Sequence, residues 1–132
     1  MGGTPGVETV MLLIREPQIA AFAELAVADF EDRMVTHLRQ VFPEACGSAP
    51  EPALRERIQR AITRAGRFGV VREYDVCLYL QVMVVKGDGF DEAPEHAALR
   101  AILEDERQSA SVRVDHVHAL VFSAGETRAG EA

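Results

Sequence analysis

Tryptophan is absent from the 132 residues, aromatics make up 6%, and a single lysine, Lys86, stands against thirteen arginines. The arginine excess reads as a coding bias, although Arg also favours bidentate pairing with carboxylates. Cysteine is nearly absent too. Cys46 and Cys77 are far apart and form no Cys-x-x-Cys pattern, so a disulfide framework is excluded and two reduced, core-type thiols are expected. No apolar run reaches the roughly 20 residues a membrane-spanning helix needs. The longest, Val76 to Val85, is interrupted by Gln81. No basic residue precedes the first apolar stretch, which speaks against an export signal, and Gly6 stands where a myristoylation pattern wants Ser or Thr. The chain also lacks a Gly-x-Ser-x-Gly elbow, a Walker loop and a Rossmann glycine pattern, so no catalytic residue and no cofactor are expected.

What is present is an ordinary globular composition, 48% apolar with a net charge of −7. The apolar fraction excludes wholesale disorder, and the length suits one domain. The acidic balance argues against generic binding to nucleic acid or anionic membranes, both of which require positive charge.

Residues 1–9 and 124–132 read as flexible ends. Val10 to Ile14 is a short apolar run that suits either a helix lead-in or a small strand. From Pro17 to Phe42 the residues Ile19, Phe22, Ala26, Phe30, Met34, Leu38 and Val41 recur at three- and four-residue steps. That spacing predicts one helix of about 40 Å, ended by Pro43. Residues 43–52 read as a loop, and Ala53 to Phe68 as a helix with Leu54, Ile58, Ala61, Ile62 and Ala65 on one face. Residues 73–86 suit a buried helix or a buried strand; their length and acidic first turn favour helix. Gly87-Asp88-Gly89 marks a turn, and Pro94 opens a helix through Leu103. Ser111 to Phe122 is evenly divided between helix and strand. The fold class expected is all-α, a single-domain bundle of four or five helices around the long N-terminal one. Strands at 73–86 or 111–122 would make it α+β.

Three polar groupings could carry chemistry. His116 and His118 form a His-x-His pair beside Asp115, able to share a metal on a strand but pointing about 200° apart on a helix, while His37 and His96 show no convergence with them. Asp88, Asp91 and Glu92 form an acidic loop that lacks the ligand spacing of a calcium-binding hand and reads as a solvated loop or as acidic residues favouring the N-terminus of the coming helix. Cys77 lies within an apolar segment, where burial suppresses the thiolate a nucleophile requires.

The distribution of charge is the more informative feature. Residues 1–50 carry three basic and seven acidic side chains, residues 51–72 six and two, and residues 73–132 five and twelve. The acidic total therefore conceals one basic helix. On a helical wheel Arg57, Arg60, Arg64 and Arg67 fall within about 80°, away from the Leu54/Ile58/Ile62 face. Two readings apply: pairing with acidic faces of neighbouring helices, such as Glu31, Asp32 or Glu104, Asp105 and Glu106, or a docking stripe for an acidic protein partner.

Two stretches carry a resemblance. The first is Phe30-Glu31-Asp32-Arg33-Met34-Val35-Thr36-His37-Leu38-Arg39 with Phe42-Pro43-Glu44-Ala45-Cys46. The second runs from Leu54 through Gly69, Asp75-Val76-Cys77-Leu78-Tyr79 and Lys86-Gly87-Asp88-Gly89-Phe90-Asp91. Over residues 17–105 they resemble small bacterial proteins whose genes sit beside type VI secretion effector, spike-tip and adaptor genes. Where that pattern has a Ser or Thr helix cap, this chain has Val71-Arg72-Glu73. The resemblance implies a cytoplasmic, non-catalytic accessory protein, a co-chaperone or adaptor that binds a secreted effector or its chaperone. It transfers no catalytic residues. The alternatives are an immunity protein that neutralises a neighbouring toxin and, with least support in the motifs, a small metal-binding protein or enzyme.

Overall fold

The computed structural model describes the backbone of residues 16–131 and the side chains of residues 27–123. Every regular element among the described residues is helical: α1 (Glu16–Val41), α2 (Pro43–Cys46), α3 (Glu51–Gly66), α4 (Glu73–Lys86), α5 (Ala97–Leu103) and α6 (Ala110–Glu131), with 3₁₀ turns at Phe90–Glu92 and Pro94–His96. The all-α class stands, and the strand alternatives at 73–86 and 111–122 fall away. The helices number six among the described residues, against the four or five expected, because residues 43–46 form a short helix where a loop was expected. Pro43 sits in its first turn with Glu44, where a missing N–H costs nothing and an acidic side chain favours the helix dipole. The expected flexible segment 1–9 and the apolar run Val10 to Ile14 lie outside the described residues. At the other end, the backbone of α6 continues past Phe122 through most of the expected polar tail. Ala124, Glu126, Arg128 and Ala129 are good helix formers there, offsetting Gly125 and Gly130.

The chain divides into two compact units, Met1–Arg33 and Met34–Ala132. In the first, the described side chains belong to α1. Arg33 pairs with Asp29 one turn back at 2.8 Å, and its guanidinium lies 5.8 Å from the Phe30 ring centre. The second unit starts with the rest of α1, where Met34, Val35 and Leu38 are buried. Of the expected stripe, Phe30, Met34 and Leu38 are buried and Val41 is 46% exposed. Pro43 sterically disfavours helical backbone at Phe42, which leaves the helix at φ −124°, ψ 65°.

Helix α4 packs against both α3 and α6, and α5 packs against α6. Leu54, Ile58, Ala61 and Ala65 of α3 are buried, as are Val114 and Val117 of α6. Between them α4 buries Val76, Leu78, Tyr79, Leu80, Val82 and Met83, side chains from most of its circumference. A helix apolar nearly all round has little periodicity to read, which is why its sequence also suits a buried strand. Glu73 and Asp75 in its first turn and Lys86 in its last complement the dipole. Asp75 meets Ser111 and Gln81 meets His118, so α4 and α6 run in the same direction. Ser109 caps α6, its hydroxyl accepting the Val112 N–H at 3.2 Å.

Two glycines set the turns that matter. Gly69, at φ +78°, closes α3 while the Val70 N–H donates to the Ala65 carbonyl at 3.0 Å. Gly87, at φ +107°, ψ 152°, ends α4 in a backbone region reserved for glycine and launches residues 88–92 back toward α3. Gly87→Ala is expected to lower stability by about 1–3 kcal/mol. Gly66→Ala should be neutral or mildly stabilising, because a Cβ there meets no atom within 4 Å. Urea denaturation of the two variants checks the contrast, and an equal loss in both would contradict it.

Candidate functional site: an arginine ridge clasping an acidic loop

The arginine stripe of α3 and the acidic loop after α4 form one construction. Arg57 Nε donates to Asp88 Oδ1 at 2.7 Å and Arg60 Nε to Asp88 Oδ2 at 2.8 Å, so one carboxylate bridges two guanidiniums. Arg64 reaches Asp91 Oδ1 through Nε at 3.1 Å and Nη2 at 2.7 Å. Arg67 Nη1 lies 3.3 Å from Glu92 Oε2. The stripe is therefore paired within the molecule, with partners other than those expected. Asp88, Asp91 and Glu92, read from sequence as a solvated loop, occupy the place proposed for Glu31, Asp32 or Glu104, Asp105 and Glu106. Gly87 supplies the reversal that makes this possible, and sequence distance concealed it.

The pairs differ in environment. Asp91 is 1% exposed and Arg64 18%, whereas Arg60 and Arg67 are 48% and 54% exposed. Burial pulls the Asp88 carboxyl up, but its hydrogen bonds and charge interactions with Arg57 and Arg60 prevail and hold it below the usual carboxylate value. The hydrogen bonds from Arg64 to Asp91 strengthen that guanidinium's hold on its proton. Next to this pair the Tyr79 ring packs at a tilt, its centre 5.1 Å from that of Phe90; burial, with the Asp91 charge adding, pushes its phenol upward. Breaking a buried pair strands a charge, so Asp91→Ala should cost about 3 kcal/mol or more. Glu92→Ala, at the exposed end, should cost under about 1 kcal/mol. Thermal or urea unfolding separates the two; similar losses would contradict this ranking.

A second polar cluster escaped the sequence reading. Gln81, the one interruption in the Val76–Val85 run, lies between His37 and His118. Its Nε2 is 2.7 Å from His37 Nε2, and its Oε1 is 2.6 Å from His118 Nε2. Cys77 Sγ lies 3.6 Å from His37 Nε2. His37 thus converges with His118 after all, through a residue of a third helix. An amide has one donor and one acceptor end, so in either orientation one imidazole donates and the other accepts. Both rings cannot present an Nε2–H to it. Burial pushes the Cys77 thiol up, as its apolar setting led us to expect, and makes it a poor nucleophile. Burial also lowers the His118 value, against the charge of Asp115, while His118 stacks on Phe122 at 4.4 Å.

His116 is exposed and His118 half-buried, the divergence a helix imposes, and among the described residues no group of three metal-ligating side chains gathers. No described helix is long and apolar enough to cross a membrane. No family model, no curated protein and no solved structure matches the chain.

A depressed histidine value leaves the folded state reluctant to take a proton that the unfolded chain accepts. Stability is therefore complete above the ordinary value of 6.5 and declines as the pH falls below it toward the lower folded value. His118→Gln should flatten that decline in urea midpoints measured across the acid side of neutrality; an unchanged slope would rule out His118 as the titrating group.

Proposed function

We propose that the chain is a non-catalytic accessory binding protein of the cytoplasm, a co-chaperone or adaptor for a type VI secretion effector, with α3 as its docking helix. The observation that carries this reading is the fixed arginine ridge. Asp88, Asp91 and Glu92 hold Arg57, Arg60, Arg64 and Arg67 in a set array, so little side-chain entropy remains to be lost on docking. Arg60 and Arg67 keep about half their surface in solvent. Val71 and Tyr74, 75% and 69% exposed, follow the ridge in sequence and add the apolar and aromatic surface that interfaces favour. With four arginines to three acids, the ridge offers a partner directed hydrogen-bond donors more than net positive charge.

The division of labour within the ridge also fixes the test. Arg64 cannot be altered without stranding Asp91, so the docking variant is Arg60→Ala with Arg67→Ala, which leaves the Arg57–Asp88 and Arg64–Asp91 pairs in place. Pull-down with the products of adjacent genes should capture an effector or its chaperone, and the double variant should weaken capture about tenfold or more at unchanged thermal stability. Undiminished capture would remove the ridge from the interface. Rescue of cells expressing the neighbouring toxin, with no effect on its delivery, would replace the helper role by immunity.

A further inference from the structure

Within the second unit, Gln81 of α4 ties the end of α1 to α6. Its Nε2 is 2.7 Å from His37 Nε2 and its Oε1 is 2.6 Å from His118 Nε2. All three side chains are half-buried, where a lost hydrogen bond is less readily replaced by water. The relay has two states. In one, Gln81 donates to a lone pair on His37 and accepts the N–H of His118. With the amide turned over, it accepts from His37 and donates to a lone pair on His118. Each state accommodates one imidazolium, His118 in the first and His37 in the second. Two imidazoliums set two N–H groups against one amide, and one of them then faces the NH2 group.

The surrounding groups do not relieve that conflict. Cys77 Sγ of α4 lies 3.6 Å from His37 Nε2 and is only a weak acceptor. Burial pushes its thiol up, so no thiolate is at hand to take the imidazolium proton. On α6 the charge of Asp115 favours a proton on His118, but burial outweighs it. His116, two residues before His118, is exposed. On α1 Arg33 lies one turn before His37 and engages Asp29. The Phe122 ring stacked on His118 has no acceptor to offer.

We propose that His37, Gln81 and His118 form a one-proton latch: the amide accommodates a first proton by its orientation, and a second proton expels Gln81 and unties α1 from α6. The two histidines therefore bind protons with negative cooperativity, and the latch opens only when both are charged. Coupling of this kind belongs to the pair and displaces its second step toward lower pH. This goes beyond the titration of His118 alone, because it requires His37 and the amide. No member of the latch lies on α3, so it operates without the arginine ridge.

The test is an NMR pH titration of both histidines in the full chain, in His37→Gln and in His118→Gln. Glutamine can donate or accept, so either replacement keeps the Gln81 amide satisfied. The ring that titrates second in the natural chain should take its proton about tenfold more readily once the other is replaced. The same comparison in a Gln81→Met background, which keeps side-chain length and removes the amide, should show that gain largely gone. The Gln81 side-chain NH2 signals provide a measurement that needs no variant: they should move to the positions of a solvated amide with the second step. The proposal is overturned if replacing one histidine leaves the other's titration in place, if the gain persists undiminished in Gln81→Met, as repulsion through space would produce, or if the Gln81 signals stay put through both steps.

Discussion

Helix α4 has apolar side chains around most of its circumference, and the second unit is arranged to keep water from most of them. A helix of that kind cannot lie on a surface; it needs neighbours on several sides. Helices α3 and α6 provide two of them, and Phe90 in the returning loop adds an aromatic contact to Tyr79. The few polar side chains on α4 then have to be answered from those same neighbours. Asp75 receives the Ser111 hydroxyl, and Gln81 lies between His37 and His118. Each match fixes a register between helices, because an unanswered buried polar group costs more than a mispacked methyl group.

The same demand for coverage brings the acidic loop onto α3. Once Phe90 is buried, Asp91 beside it is carried inside as well, and a carboxylate there is tolerable only with a cation at hand. Arg64 is that cation. Its neighbours Arg57, Arg60 and Arg67 engage Asp88 and Glu92 in less buried settings, where each contact contributes little to stability but orients a guanidinium. Arg64 is thereby committed to the fold, while Arg60 and Arg67, on the same helix face, keep about half their surface in solvent, where the proposed partner would dock.

Arg113 has a comparable position at the far end of α3. By taking carbonyls beyond α3, at the end of α5 and before α6, it replaces the helix partners those carbonyls lack. A lysine, with one nitrogen, could not reach three directions from a planar fork.

Local chemistry alone determined much of this. The prolines that open α2 and bound α1, the apolar spacing of α3, the acidic first turn of α4 and the arginine stripe at Arg57, Arg60, Arg64 and Arg67 all follow from residues within a turn or two of one another. So does the helical class, because such signals depend on neighbours three and four positions away. The short helix at 43–46 was missed because a loop-like composition masked its first-turn proline. The candidate site was legible only by half. The stripe could be seen, but not its partners, since Asp88 and Asp91 lie about thirty residues away and become neighbours only when Gly87 turns the chain back. The meeting of His37, Gln81 and His118, and the burial of Arg113 between helix ends, were likewise decided by tertiary packing. Pairing across helices depends on which faces the apolar core brings together, and no local periodicity encodes that.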